Sequence, residues 1–319
     1  MLVGVPKEIK NHEYRAGLTP AGVHALTFAG HEVLVETNAD ANYLAAGARI
    51  ATNAAEVYGR AKMVVKVKEL QAAEFLFTQP GQILFAYQHF APDPDLLQHV
   101  IDSGLSCVAY ETVADAQGEL PLLAPMSGVA GRLAPQVGAQ VTLFDRGIEK
   151  IAALDRIYRG RITTCVADPL ALEHAIVDAD LVVGAVLIPG KLSPKLISRT
   201  LLRKMRPGSV IVDVGIDQGG IAETSRPTSH TNPIFVEKGI VHYCVPNMSS
   251  AVARTATLAD PSDAAVCAAT GHLGLRRALE EDTGLMKGLQ VHAGKVTHAG
   301  LAEDTGRAFT PARDVLRNS

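Results

Sequence analysis

Residues 132–147 read RLAPQVGAQVTLFDRG, and the second half of this stretch has the form of the second strand of a dinucleotide-binding βαβ unit. Its alternating run VTLF ends in Asp145, where such a unit places the carboxylate that holds the adenosine ribose. That acid ordinarily lies about 20 residues beyond a glycine-rich strand-to-helix turn. Reading back from Asp145 gives Gly138, Gly131 and Gly128, but no GxGxxG or GxGxxA that follows a strand and opens a helix. The acid of the unit is present and its phosphate loop is absent.

Outward from this stretch the chain keeps an α/β grammar. Before it, the apolar runs LVGVP, HEVLVET, MVVKVK, QILFAY and SCVAYET alternate with helix-like segments at 19–30, 52–60 and 93–103. After it come DLVVGAVL, SVIVDVGID and VHYCV, with helix-like segments at 148–159, 169–179 and 195–205. Strands separated by helices predict right-handed crossovers and parallel sheets. From Ala251 onward no convincing strand is legible, so this part is expected to be helical and to return onto the first domain. The expected domains are 1–121, 122–253 and 254–319.

Bulk composition narrows the partners. The 319 residues, 47% hydrophobic, suffice for two cores. Thirty basic and 33 acidic residues give a net charge of −3 without charged blocks, which argues against nucleic acid and membrane surfaces. Cys107, Cys165, Cys244 and Cys267 form no CxxC or Cys/His spacing, so neither a zinc site nor a disulfide framework is expected. A reduced, cytoplasmic compartment follows most simply. The start MLVGVPKEIK turns charged at Lys7 before a signal-type core develops, and no run of 18 apolar residues occurs.

Several blocks together resemble the L-alanine dehydrogenase family: VGVPKEIKNHEYRAGLTPAGV, VVKVKE, GQILFAYQHFAPD, YETV, LPLLAPMS, LVVGAVLIPG, VDVGIDQGG followed by ETSRPT, and VHYCVPNM. The resemblance implies an α/β protein with mainly parallel sheets, made of a substrate domain and a truncated Rossmann-type NAD-binding domain. The implied reaction is reversible oxidative deamination of L-alanine to pyruvate and ammonium with NAD, carried out by a homo-oligomer.

That chemistry requires a carboxylate anchor, an acid/base and a group that orients water. By the resemblance, Arg15 holds the substrate carboxylate through its planar fork and Lys68 lies near the carbonyl oxygen. His89 is the general acid/base, its imidazole suited to neutral pH, and Asp217 orients water or ammonia. Read alone, Arg15 is a surface arginine, Lys66 and Lys68 are solvated lysines sharing one strand face, His89 is a structural strand-end histidine and Asp217 is a turn or cap acid. For NAD the resemblance implies Asp145 on the ribose, with Ser127, Leu187, Ile216, Asp217, Asn247 and Met248 along the dinucleotide. Without it these are a turn acid, a helix cap and core residues.

The sequence departs from the family in two large segments, and in smaller ways at Leu70, Gly128 and a shortened loop near Asn38 to Asn42. Between Ala139 and Gln140 it lacks a long helix, a GGRG segment and the first strand, glycine turn and helix of the nucleotide domain, roughly 45 residues, more than one βα unit. Neighbouring strands must then pair across a gap or leave exposed edges. Later, DPSDAAVCAATGHLG stands where the family has a segment like LTNATLPYVLxLAxxGW. Bases able to encode residues 263–268 spell Thr-Leu-Pro-Tyr-Val-Leu when displaced by one. Residues 260–274 therefore read as an out-of-frame segment restored at Leu275, in which Cys267 and His272 are not selected site residues. Two other functions compete: a catalytically inactive remnant of the same enzyme, and the nucleotide-binding subunit of a proton-pumping transhydrogenase.

Overall fold

Continuous apolar runs in the first third of the chain build one sheet whose central strands are buried on both faces, as parallel strands covered by helices must be. In the computed structural model, which describes residues 1–36, 41–124, 140–246, 248 and 263–317, chain contacts separate two units. Met1–Val129, Leu187–Leu192 and Asn247–Ser319 make the first, and Ala130–Val186 with Ser193–Pro246 the second. No helix among the described residues is long and apolar enough to cross a membrane.

The first unit contains β1 (Leu2–Val5), β2 (Glu32–Glu36), β3 (Arg49–Ala51), β4 (Met63–Val65), β5 (Ile83–Ala86), β6 (Ser106–Ala109), β13 (Leu289–His292) and β14 (Lys295–Val296). Their order is β14-β13-β6-β5-β4-β1-β2-β3. The strands β1 to β6 pair in parallel. The chain runs outward from β1 to β3 on one side, then returns and continues from β4 to β6 on the other. Winding therefore reverses between β1 and β4, and the crevice at the carboxyl ends of such strands is where open α/β sheets place ligands. Helix Pro20–Phe28 follows β1, started by the Thr19 side chain on the Gly22 N–H and by Pro20 in its first turn. Helix Pro94–Ser103 starts the same way on Asp93 and stops at left-handed Gly104.

One expectation is corrected. The segment after Ala251 is not wholly helical: β13 joins the edge of the sheet antiparallel to β6, and β14 folds back on it. Its turn uses Ala293 and Gly294, both at positive φ. That is the backbone of a tight hairpin, hidden in sequence because no Asn-Gly or Asp-Gly signals it. Residues Asp263–Leu273, in the segment read as out of frame, form a helix that buries Ala264, Cys267 and Thr270 at helical spacing and packs on helix Pro20–Phe28. Small side chains there permit close approach.

The second unit contains β7 (Thr142–Asp145), β8 (Thr163–Val166), β9 (Leu181–Gly184), β10 (Val210–Asp213), β11 (Ile234–Glu237) and β12 (Ile240–Tyr243). Two separate sheets result: the parallel pair β7-β8, and β11-β12-β10-β9. Among the described residues no ladder joins β7 to β9. In the strand order of a dinucleotide-binding domain this is the place of the first strand, the one the sequence lacks. On β9, beside the gap, Leu181 is 38% and Val183 39% exposed, against 0% for Phe85 in β5. The helix expected over 195–205 shortens to Arg199–Leu202, capped by Ser198.

The two units should answer differently to core truncation. Phe85→Ala is expected to cost about 3–5 kcal/mol in urea denaturation of the first unit, and Val183→Ala less than about 1 kcal/mol in the second. Equal losses would contradict the open β9 face.

Candidate active site

The loop that leaves β1 carries Arg15 back against the sheet. Gly17 makes this possible: a Cβ there would stand 2.6 Å from the Val65 carbonyl oxygen, so only glycine lets the loop backbone meet the end of β4. Arg15 is 6% exposed, unlike a surface arginine. Its backbone N–H and Nε donate to Glu13 Oε1 at 2.8 and 2.9 Å, and Nη2 donates to Oε2 at 2.6 Å. Burial alone would raise the Glu13 carboxyl pKa, but the bonds and charge of Arg15 outweigh it and hold the group below its usual 4.5.

Beyond β4 the ladder continues, with Lys66 N–H on the Phe85 carbonyl and Tyr87 N–H on the Val67 carbonyl. Lys66 and Lys68 are both buried rather than solvated, at 0% and 3% exposure. Lys66 Nζ lies 3.3 Å from Glu8 Oε2 and 2.7 Å from Glu74 Oε1, and Tyr58 donates to the same Glu74 oxygen at 3.0 Å. Burial pushes the Lys66 ammonium down, yet the two carboxylates outweigh it and keep the net direction upward. Glu8 Oε1 also accepts the N–H groups of Val67 at 2.7 Å and Lys68 at 3.3 Å. The backbone at Lys68 is thus tied to the start of the chain. Lys68 acts electrostatically on both Glu13 and Glu69.

His89 follows β5 with φ of 44°, a left-handed conformation that is uncommon for a residue with a side chain. The carboxylate of Glu111, 2% exposed, holds it there. Glu111 Oε1 accepts from Gln88 N–H at 3.1 Å and His89 N–H at 2.9 Å, and Oε2 accepts from Gln88 N–H at 3.2 Å. His89 Nδ1 lies 4.0 Å from the same Oε1, and the imidazole lies parallel to the Tyr87 ring, centroids 6.1 Å apart. His89 and Lys68 both act on Glu69. Arg15, Lys68 and His89 therefore belong to one electrostatic cluster at the carboxyl ends of β1, β4 and β5, beside the winding reversal. Strained backbone held by over-determined contacts is common at functional sites.

In the second unit Asp145 ends β7. Its Oδ1 accepts the Gly147 N–H at 2.8 Å and its Oδ2 lies 3.1 Å from Lys150 Nζ. The Gly147 bond, against weak desolvation and with help from Lys150, lowers its pKa. Asp217 lies half-buried in the 3₁₀ turn Val214–Gln218 that follows β10, next to buried Ile216. Asp213, absent from the sequence reading, anchors this loop: its Oδ2 accepts from Ile221 N–H at 2.8 Å and Ser225 Oγ at 2.6 Å. Gly220, at φ of 74°, passes so close that a Cβ would meet that oxygen at 2.4 Å. Leu187, partly exposed, and Met248, buried, group by contacts with the first unit. Ser127 and Asn247 lie outside the described residues.

Two measurements check the carboxylate anchors. Glu111→Ala leaves two buried N–H groups without an acceptor and should cost about 2–4 kcal/mol in urea denaturation, whereas Glu111→Gln, which keeps an oxygen, should cost less; equal costs would count against the anchor. The Glu13 carboxyl is lower in the folded state, so its stabilisation is complete above 4.5 and is lost as pH falls through the folded value. Glu13→Gln should lose about 3 kcal/mol at neutral pH and show a shallower decline below pH 4.5 than the unaltered chain. A parallel decline would exclude the Arg15 pairing as its source.

The family model for the alanine dehydrogenase/PNT N-terminal domain matches residues 4–130, and that for the alanine dehydrogenase/PNT C-terminal domain matches residues 127–299. An alanine dehydrogenase of Halomonas elongata is 41% identical, covering 99% of this chain and 100% of its own length. One from Bacillus subtilis is 38% identical, covering 100% and 98%. The Halomonas alignment runs over 370 positions against 319 residues here, so the relative has residues that this chain lacks. A solved L-alanine dehydrogenase is similar with a TM-score of 0.82 and 38% identity over 96% of this chain and 99% of its own. A transhydrogenase from Sinorhizobium meliloti shares the fold, with a TM-score of 0.68 and 21% identity over 94% and 99%. The chain belongs to the alanine dehydrogenase/PNT family.

Proposed function

We propose that this chain retains, and binds substrate at, the L-alanine/pyruvate site of its family, whose reaction is the reversible NAD-dependent oxidative deamination of L-alanine to pyruvate and ammonium. The observation that carries the proposal is the cluster of Arg15, Lys68 and His89 at one sheet end, with buried carboxylates on Arg15 and on the backbone of Lys68 and His89. Arg15 keeps a planar fork for the substrate carboxylate after Glu13 has fixed its orientation. Lys68 is assigned to the carbonyl oxygen and His89 to proton transfer at that oxygen or at the water that replaces the amine; Asp217, in the second unit, keeps the water-orienting role that the resemblance implies. Cytoplasmic residence and assembly into a homo-oligomer belong to the same reading.

NAD, as the family's hydride acceptor, supplies the redox chemistry when bound, and the described residues fit only part of it. Asp145 can accept ribose hydroxyls from an open strand end. The pyrophosphate needs N–H groups at a helix N-terminus reached through a glycine turn. In the sequence no such turn precedes β7, and the sheet is split where the strand leading into it belongs. No step is therefore derived through NAD. This favours an enzyme by descent whose substrate machinery has outlasted its cofactor site. The transhydrogenase likeness supports the fold alone.

Calorimetric titration of the 319-residue chain with pyruvate tests the assignment. Arg15→Lys keeps the charge but loses the fork, so affinity should fall about tenfold, 1.4 kcal/mol. Unchanged affinity would remove Arg15 from the substrate site.

A further inference from the structure

Four carboxylates surround the cluster, and they are engaged differently. Glu13 gives both oxygens to Arg15, Glu111 gives both to backbone N–H groups, and Glu8 divides its oxygens between backbone N–H groups and Lys66. Glu69 differs in that neither a hydrogen bond nor an ion pair is found at its second oxygen among the described residues. Its Oε1 accepts from Lys10 Nζ at 2.5 Å and from the Gln71 side-chain amide at 3.3 Å. Its Oε2 is shielded from solvent and has no hydrogen-bond partner. Such a buried charged oxygen is unfavourable unless a donor reaches it, and it calls for an explanation in a native fold.

Glu69 directly follows Lys68 in the chain, and the charges that act on it are Lys10, Lys68 and His89. Burial would raise its carboxyl pKa, but the charges of Lys10 and Lys68 foremost outweigh burial and keep it below the usual range, so the anion persists at neutral pH. The two substrates of the reaction differ in what they need from such a group. A keto acid brings a carboxylate and a neutral carbonyl, both suited to Arg15 and Lys68. An amino acid also brings an ammonium, three N–H donors with a positive charge, which Lys68 repels unless a carboxylate offsets it.

We propose that Glu69 Oε2 accepts the ammonium group of the amino-acid substrate and so sets the preference of the site between the amino acid and its keto acid. This rests on the reading of Arg15, Lys68 and His89 as the substrate site.

Ligand-observed NMR titration of the full chain with L-alanine and, separately, with pyruvate tests the inference in the unaltered protein, Glu69→Gln and Lys10→Met. Glu69→Gln should weaken L-alanine about tenfold or more and leave pyruvate within about twofold. Lys10→Met breaks the ion pair on Oε1 but keeps the Glu69 carboxylate, and should leave L-alanine binding in place. Equal weakening of both ligands by Glu69→Gln, no change in either, or a selective loss of L-alanine in Lys10→Met that matches it would overturn the proposal, the last by showing a merely structural ion pair. Binding of neither ligand to the unaltered chain would overturn the substrate-site reading and this inference with it, whereas binding of both without discrimination by Glu69→Gln defeats this inference alone.

Discussion

An ammonium group sealed from water cannot stay charged without anionic partners, and Lys66 is such a group. Its neutralisation by Glu8 and Glu74 ties three parts of the chain together: the segment after β1, the end of β4, and the 3₁₀ turn Ala72–Phe77 with Tyr58 behind it. Because Glu8 also accepts the N–H groups of Val67 and Lys68, the ion pair fixes where Lys68 leaves the sheet. Breaking one side of such a buried pair costs about 3–5 kcal/mol. The site geometry therefore depends on an interaction made by groups that do no chemistry themselves.

The same device recurs across the first unit. Arg15, Lys68 and His89 all follow carboxyl ends of adjacent parallel strands, and a buried glutamate fixes the backbone of each. This arrangement orients Arg15, Lys68 and His89 with fixed acceptors in place of solvent. The second unit lacks the equivalent support. Its sheet is divided between β7 and β9, the acid at the end of β7 is engaged by Gly147 and Lys150, and apolar side chains of β8 and β9 remain exposed. Loss of one strand and its glycine turn removes the phosphate contacts and the covering of the neighbouring strands together, since one segment provides both.

Legibility in the sequence followed the range of the interactions involved. The apolar runs of β4, β5 and β6 and the helix starts at Thr19 and Asp93 are local signals, and the structure places those elements as read. The strands β3, β8 and β11 are short and polar or half-exposed, and periodicity passed over them. Motif resemblance reached Arg15, Lys68 and His89, but not Glu8, Glu111 or Asp213. Glu8 meets Lys68 across 60 residues and Glu111 meets His89 across 22, distances over which spacing carries no pattern. The burial of Lys66 is not legible for the same reason, because its partners come from Glu8 and Glu74. The missing glycine turn is a local absence and is legible, but whether the neighbouring strands pair across the gap or leave it open is decided only in the structure.

The central claim, that the substrate half of the site survives while the phosphate half of the cofactor site does not, is tested most directly by calorimetric titration of the 319-residue chain with NAD. A micromolar site corresponds to roughly 8 kcal/mol, and most of that support in this fold comes from the helix N-terminus and glycine turn that are missing. The account predicts no micromolar binding and no alanine-dependent formation of NADH. Micromolar affinity would contradict it and would mean that another segment of the chain holds the phosphates.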